Sequence, residues 1–338
     1  MSEDCKKCEG TGVSAMRRSI IAPPGQVIVV RDLAQIEARV LAWLAEQADL
    51  LDEFKRSLTD KDIDVYCSMA STIFSRPIEK KKDKAERFIG KTTILGCGYG
   101  LGWRTYQERL RVGMLGDKGR VLDGTVAQSL GVSVEIFLGS EYKRKFVQES
   151  LPLGSDFYVH ATHCACCEAI INLYRANKEK IPEFWNVCSE ALCRIYIRQS
   201  WGFGKDNVLS TCPEGILLPN GMKIRYVELQ QKMEKNRIEY SYLKERKTHY
   251  RVKTYGGSVT ENVVQALSRI ILTDAMLKCK KDGIRIVHTV HDELLAVCDE
   301  RSASDVYRRM GEIMDKPPEW CLDLPLASDG GWASRYQK

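Results

Sequence analysis

The sequence predicts an α+β fold in which both ends of the chain build an antiparallel sheet and a long, mainly helical insertion lies between them. Three observations carry this. A β-branched run, "QVIVVR" at 26–31, follows the turn signal "APPG" and leads into a stretch of helical period. Residues 104–200 read as mostly helical, broken near the glycines of 113–124 and 131–139. After strands from Ile216 to Tyr255, a helix over 259–279 leads into two apolar runs, 284–290 and 294–297, that flank a turn.

Taken in order, the first run predicts a buried strand with Asp32 following at its end. "QIEARVLAWLAEQADLLDEF" places Ile36, Val40, Leu41, Leu44 and Leu51 at helical spacing. A charged helix is expected from Arg76, with Lys80, Lys81, Lys82 and Lys84 crowding its start. "ILLPNGMKIRYVEL" carries Asn220-Gly221 between apolar runs, a hairpin signal. "RIEYSYL" and "THYRVKTY" read as further strands. In the next helix Val263, Leu267, Ile270, Ile271 and Ala275 face inward. "HTVHDELLAVCD" then puts His291, Asp292 and Glu293 at the tip of a hairpin.

Composition narrows the class. At 338 residues, with 44% hydrophobic and 28% charged residues, the chain can bury a sizeable core as one large domain or two ordinary ones. No apolar run approaches the roughly 18 residues a membrane span needs, and the mixed-charge start "MSEDCKKCEGTG" is unlike a signal peptide. A cytoplasmic protein without a membrane partner is expected. Thirteen cysteines in that setting read mainly as reduced packing residues. A net charge of +6 permits a polyanionic partner without requiring one.

Two constellations carry chemistry. Asp32 at a strand end and Asp292 at a hairpin tip are carboxylates on rigid supports, able to share a pair of Mg²⁺ ions in phosphoryl transfer. Each alone reads equally as a cap or turn residue. Arg87, Lys91, Leu95 and Tyr99 are spaced four apart and stay on nearly one helix face. Two cations and an aromatic suit a triphosphate with its sugar or base; a solvated basic face is the alternative. Gly90, Gly96, Gly98 and Gly100 weigh against that alternative, because glycine in a helix costs about 1 kcal/mol each and is explained by a close approach to the backbone.

These residues resemble family A DNA polymerases of the DNA polymerase I and bacteriophage type. "VIVVRDLAQIEARVLAWLA" resembles motif A, "RFIGKTTILGCGYG" motif B, and "VHDELL" motif C, in the family's order. "RRSIIAPPG" and "ENVVQALSRIILTDAM" resemble the segments leading into motifs A and C. The resemblance spans residues 17–336 and is thin between 104 and 215. It implies a right-hand polymerase fold: a Cys-containing segment 1–16, an antiparallel palm sheet from 17–54 and 252–338, and fingers from 55–251. Thumb and exonuclease domains are expected to be absent, so that a thumb-like, clamp or exonuclease subunit would aid DNA grip.

The resemblance also implies the activity, template-directed addition of dNTPs to a primer 3′-hydroxyl on primer–template DNA, in bacterial or phage-infected host cytoplasm. Asp32, Asp292 and the Leu33 carbonyl would hold two Mg²⁺ ions, with Mn²⁺ as substitute. Glu293 would lie near the primer terminus or the metals. Arg87 and Lys91 would grip the triphosphate, and Lys91 would protonate the leaving pyrophosphate. Tyr99 and Glu37 would close against the sugar, with Gln35 and Leu95 in the same nucleotide site. His291 and Gln265 would face the primer end. The alternatives are a non-catalytic nucleic-acid-binding or assembly subunit, or a metal-dependent nuclease, which would have no need of the Arg87–Lys91 row.

Several positions depart from the family pattern. Leu95 stands where Phe or Tyr is usual, Asp64 where many members have a phosphate-contacting His, and Gly257 and Glu261 where some have Arg and Asn. Cys5 and Cys8, with His160, His163, Cys164, Cys166 and Cys167, could complete a tetrahedral zinc site, a weaker expectation than free packing thiols.

Overall fold

The computed structural model describes residues 17, 19–113, 118–234, 236–244 and 250–337. By compactness the chain divides into two units, Gln47–Asn186 and the described residues up to Glu46 together with those from Val187 onward.

The sheet-bearing unit is organised by strand β1, Gln26–Leu33, whose Val27 to Val30 are all buried. β-Branched residues fill a strand covered on both faces. Two hairpin strands, β9 (Ile286–Val290) and β10 (Glu293–Asp299), and a last strand, β11 (Ser328–Ala333), complete an antiparallel sheet in the order β11–β1–β10–β9. One face packs Ile28, Val30 and Leu295 against Tyr336. The other lies against the helix Ala303–Met314, where Arg31 donates to the Tyr307 and Ser328 carbonyls and sits over the Tyr307 ring. Four short strands of this unit, β2 (Gly202–Phe203), β3 (Leu209–Cys212), β4 (Gly215–Leu217) and β5 (Lys223–Arg225), form a second antiparallel sheet, turning through Asn220-Gly221 as the hairpin signal predicts, with Gly221 at φ +80. β6 (Gln230–Glu234), β7 (Arg237–Lys244) and β8 (Tyr250–Thr254) form a third.

The long amphipathic stretch after Gln35 breaks into α1, Ile36–Leu44, and α2, Ala48–Thr59. Glu46 between them takes a left-handed conformation, φ 54, which no continuous helix tolerates. The second unit contains α2, α3 (Val65–Phe74), α4 (Lys84–Cys97), α5 (Trp103–Val112), α6 (Gly124–Ser129), α7 (Val134–Leu138), α8 (Glu141–Glu149) and α9 (Phe157–Asn177). Helix α10, Lys180–Tyr196, follows, and α11, Gly256–Lys281, is the inward-facing helix expected before the hairpin. No described helix is long and apolar enough to cross a membrane.

α4 begins at Lys84, not at Arg76. Arg76 instead pairs with Asp83 at 3.0 Å and Glu86 at 2.7 Å, while Glu79 N–H donates to Asp83, so the segment closes as a turn. Gly90 shows what the glycines of this helix accommodate: a Cβ there would lie 2.0 Å from the Tyr66 carbonyl of α3. Helix–helix packing, rather than a ligand, approaches the backbone at that position.

Cys5 and Cys8 lie outside the described residues. The other members of the expected zinc cluster are buried on α9. His163 has both ring nitrogens engaged: Nδ1 accepts from Leu122 N–H at 3.1 Å and Nε2 donates to the Gln107 carbonyl at 2.9 Å. It therefore offers no lone pair to a metal, and its role is to satisfy buried backbone groups. Burial, opposed by the Gln107 bond and reinforced by His160 and Arg111, pushes its pKa from 6.5 down to about 4. Between these values the unfolded chain binds a proton that the folded chain does not, so stability falls as pH falls from 6.5 toward 4. We expect a loss of about 2 kcal/mol by pH 5 from this group. Urea titrations of the wild type and a His163→Gln variant across this range should show a flatter acid limb in the variant; parallel curves would contradict the assignment.

Candidate active site

Asp32 lies within β1, one residue before its end, and not beyond it as expected from sequence. Its cross-strand neighbours are Glu293 on β10 and Asp329 on β11, so three carboxylates sit in a row across the sheet. Directly opposed like charges are destabilising, and the fold keeps two such pairs at one strand end. Oδ1 of Asp32 is buried and takes no hydrogen bond among the described residues. Asp32 and Asp329 line a cavity of about 470 Å³ with Val30, Trp332 and Gln337. Asp329 accepts from the Tyr307 hydroxyl at 3.2 Å and from Gly330 N–H at 2.8 Å. The sequence reading passed over Asp329, because only strand pairing brings it beside Asp32.

Asp292 occupies the β9–β10 turn, and its carbonyl accepts from Leu33 N–H at 3.1 Å. The two aspartates are therefore delivered to the same end of the sheet by one strand and one turn. His291 precedes Asp292 with φ 52, and Gln35, just past β1, has φ 54. Non-glycine residues pay for left-handed backbone, and such strain collects at functional positions. Glu293 separates from the other two turn residues: it is the first residue of β10, 2% exposed, and accepts a hydrogen bond from the Tyr336 hydroxyl. Arg269 on α11 steadies the turn from outside, donating to the His291 carbonyl at 3.4 Å and Thr289 Oγ1 at 3.2 Å. Gln265, one turn earlier on α11, is exposed. Nothing in the sequence marked Arg269, whose contacts depend on the hairpin folding back along α11. Glu37 lies in the first turn of α1 and is half-buried.

In the helical unit, α4 carries Arg87, Lys91 and Leu95; Tyr99 lies two residues past its end. All four are half-buried, while residues 88–90, 92–94 and 96–98 are buried, so the four-residue spacing marks the helix's partly open edge. Arg87 donates from Nη2 to Asp64 Oδ2 at 2.7 Å. That carboxylate also caps α3.

The DNA polymerase family A model matches residues 7–116, which include the first aspartate and the α4 row. A DNA polymerase of Bacillus phage SP02 is 25% identical over 331 residues, covering 96% of this chain and 43% of the phage protein. Over residues 7–116 the chain is similar to the family A DNA polymerases. DNA polymerase I of Chloroflexus aurantiacus is 30% identical over 141 residues, 41% of this chain and 13% of that enzyme. Among solved structures, the POL domain of Pol1 from M. smegmatis, in complex with DNA primer-template and dNTP, matches with a TM-score of 0.55 at 16% identity. That match covers 95% of this chain and 42% of that one, and shows the polymerase-domain fold. The chain thus spans under half the length of the phage polymerase and of the Pol1 domain.

Proposed function

We propose that the chain carries the nucleotidyl-transfer site of a template-directed DNA polymerase, adding dNTPs to a primer 3′-hydroxyl. The observation that carries the reading is the joint delivery of Asp32 and Asp292 to one end of the sheet, with the Leu33 N–H to Asp292 carbonyl bond locking turn to strand. Two carboxylates and the Leu33 carbonyl are hard oxygen donors, a set that suits Mg²⁺, which keeps remaining positions for water and substrate phosphates. Asp32, Asp292 and Leu33 would hold two such ions, with Mn²⁺ as substitute; when bound, they lower the pKa of the attacking hydroxyl and stabilise charge on pyrophosphate.

The chain's own residues do the rest. Arg87 and Lys91 bind the triphosphate through charge-assisted hydrogen bonds, and Lys91 gives its proton to the pyrophosphate oxygen as it leaves. Tyr99, Leu95, Glu37 and Gln35 act on the deoxyribose, with Tyr99 and Glu37 excluding a 2′-hydroxyl. His291 and Gln265 contact the primer end. Glu293, tied to Tyr336, positions the turn that presents Asp292. The palm of this proposal is 17–54 with 252–338 and the fingers 55–251. Firm hold on duplex is completed by protein outside this span, in the same polypeptide or in a thumb-like, clamp or exonuclease subunit.

Incubation with labelled primer–template, Mg²⁺ and dNTPs tests the reading. A lengthened primer is expected. Shortening without dNTP incorporation would favour a nuclease, and duplex binding without any change in primer length a non-catalytic subunit.

A further inference from the structure

The environment of Arg87 holds a group whose effect on the triphosphate follows from its geometry. Asp64 is the N-cap of α3 and its side chain is 4% exposed. Oδ1 accepts from the backbone N–H groups of Tyr66 at 3.0 Å and Cys67 at 3.1 Å. These are donors that a helix start leaves without partners, so the cap holds the carboxylate in place. Oδ2 accepts from both Nε, 3.2 Å, and Nη2, 2.7 Å, of Arg87. The Lys80 ammonium lies 3.7 Å from the same oxygen, and the guanidinium lies over the Tyr66 ring, 5.1 Å from its centroid. Burial pushes the Asp64 carboxyl up, but the Arg87 hydrogen bond and charge, the Cys67 N–H and the Lys80 charge together bring it below the ordinary carboxylate range. It is an anion at neutral pH, and one full edge of the Arg87 fork faces it.

We propose that Asp64 competes with the nucleotide triphosphate for Arg87 and so weakens the triphosphate site. The inference rests on the polymerase reading for the role of Arg87. A bidentate grip on phosphate needs two N–H groups from one edge of the guanidinium. The Nε–Nη2 edge is already engaged, so a phosphate either takes the other edge beside a fixed anion or displaces Asp64 from Arg87. Asp64 cannot swing away, because its other oxygen caps α3. Asparagine caps as well as aspartate, so Asp64→Asn removes the charge and leaves the helix start intact.

The test uses the full chain with two readouts: calorimetric binding of inorganic tripolyphosphate, and KM and kcat for dNTP in primer extension. Asp64→Asn should lower both the tripolyphosphate Kd and the dNTP KM by about two- to fivefold, the scale of a partly exposed ion pair, with kcat moving less than KM. In an Arg87→Ala background the same substitution should change the Kd far less. An unchanged or raised Kd in Asp64→Asn, the same factor in both backgrounds, or no tripolyphosphate binding by either protein would overturn the inference. A purely structural role would lower thermal stability and kcat together without the fall in KM. The two readings separate cleanly. Tighter tripolyphosphate binding by Asp64→Asn without dNTP incorporation by the wild type would sink the polymerase reading and leave the competition standing. Primer extension by the wild type without tighter binding in the variant would sink the competition alone.

Discussion

Asp292→Ala and Asp32→Ala should each lower the rate of nucleotide incorporation by about a thousandfold or more, equivalent to about 4 kcal/mol of transition-state stabilisation. The carboxylates sit at one sheet end as hard donors, and the carboxylates directly beside Asp32 across the sheet are Glu293 and Asp329. Neither can substitute well. Glu293 is 2% exposed and holds the Tyr336 hydroxyl, while Asp329 is engaged by Tyr307 and Gly330. The stability of Asp32→Ala is as informative as its rate. Asp32 faces a carboxylate on each side, so removing it relieves like-charge repulsion, and the variant should melt at or above the wild-type temperature. Loss of incorporation with intact or raised stability marks a functional group held against the fold's interest. A variant that lost both together would make Asp32 a structural residue instead.

Gly90→Ala should destabilise the protein by about 3 kcal/mol, although intrinsic helix propensity alone favours alanine by about 1 kcal/mol. The sign is decided by contact. The added Cβ would sit 2.0 Å from the Tyr66 carbonyl and 3.0 Å from the Ala70 nitrogen, both backbone atoms of α3 that cannot rotate aside. Relief requires α3 and α4 to separate, which also stretches the Arg87–Asp64 pair that bridges them. Urea or thermal unfolding reads this directly; stability equal to or above the wild type would show that the two helices do not pack as closely as described.

Local pattern revealed what is local. The β-branched run announced β1, Asn220-Gly221 its hairpin, and the four-residue spacing of Arg87, Lys91 and Leu95 the open edge of α4. The motifs around Asp32, Arg87 and Asp292 carried the family relationship, which the family match and the phage polymerase bear out. What escaped depends on partners distant in sequence. Glu293 looked like a third turn residue until Tyr336 closed over it. Asp329 became part of the carboxylate row only through β11 pairing with β1. Asp64 looked like a lost phosphate contact; the fold shows it capping α3 and paired with Arg87, twenty-three residues on. The single helix read through residues 35–54 failed at Glu46, whose left-handed backbone has no signature in hydrophobic period.

The most direct test offers each of the four dNTPs singly, with Mg²⁺, against a primer–template of defined next base, to the wild type and to the Asp32→Asn Asp292→Asn double variant. The wild type should extend the primer by one nucleotide with the complementary dNTP and negligibly with the other three, and the double variant should extend with none. Extension that ignores the template base, or equal incorporation by the two proteins, would contradict the assignment of polymerase chemistry to this carboxylate pair.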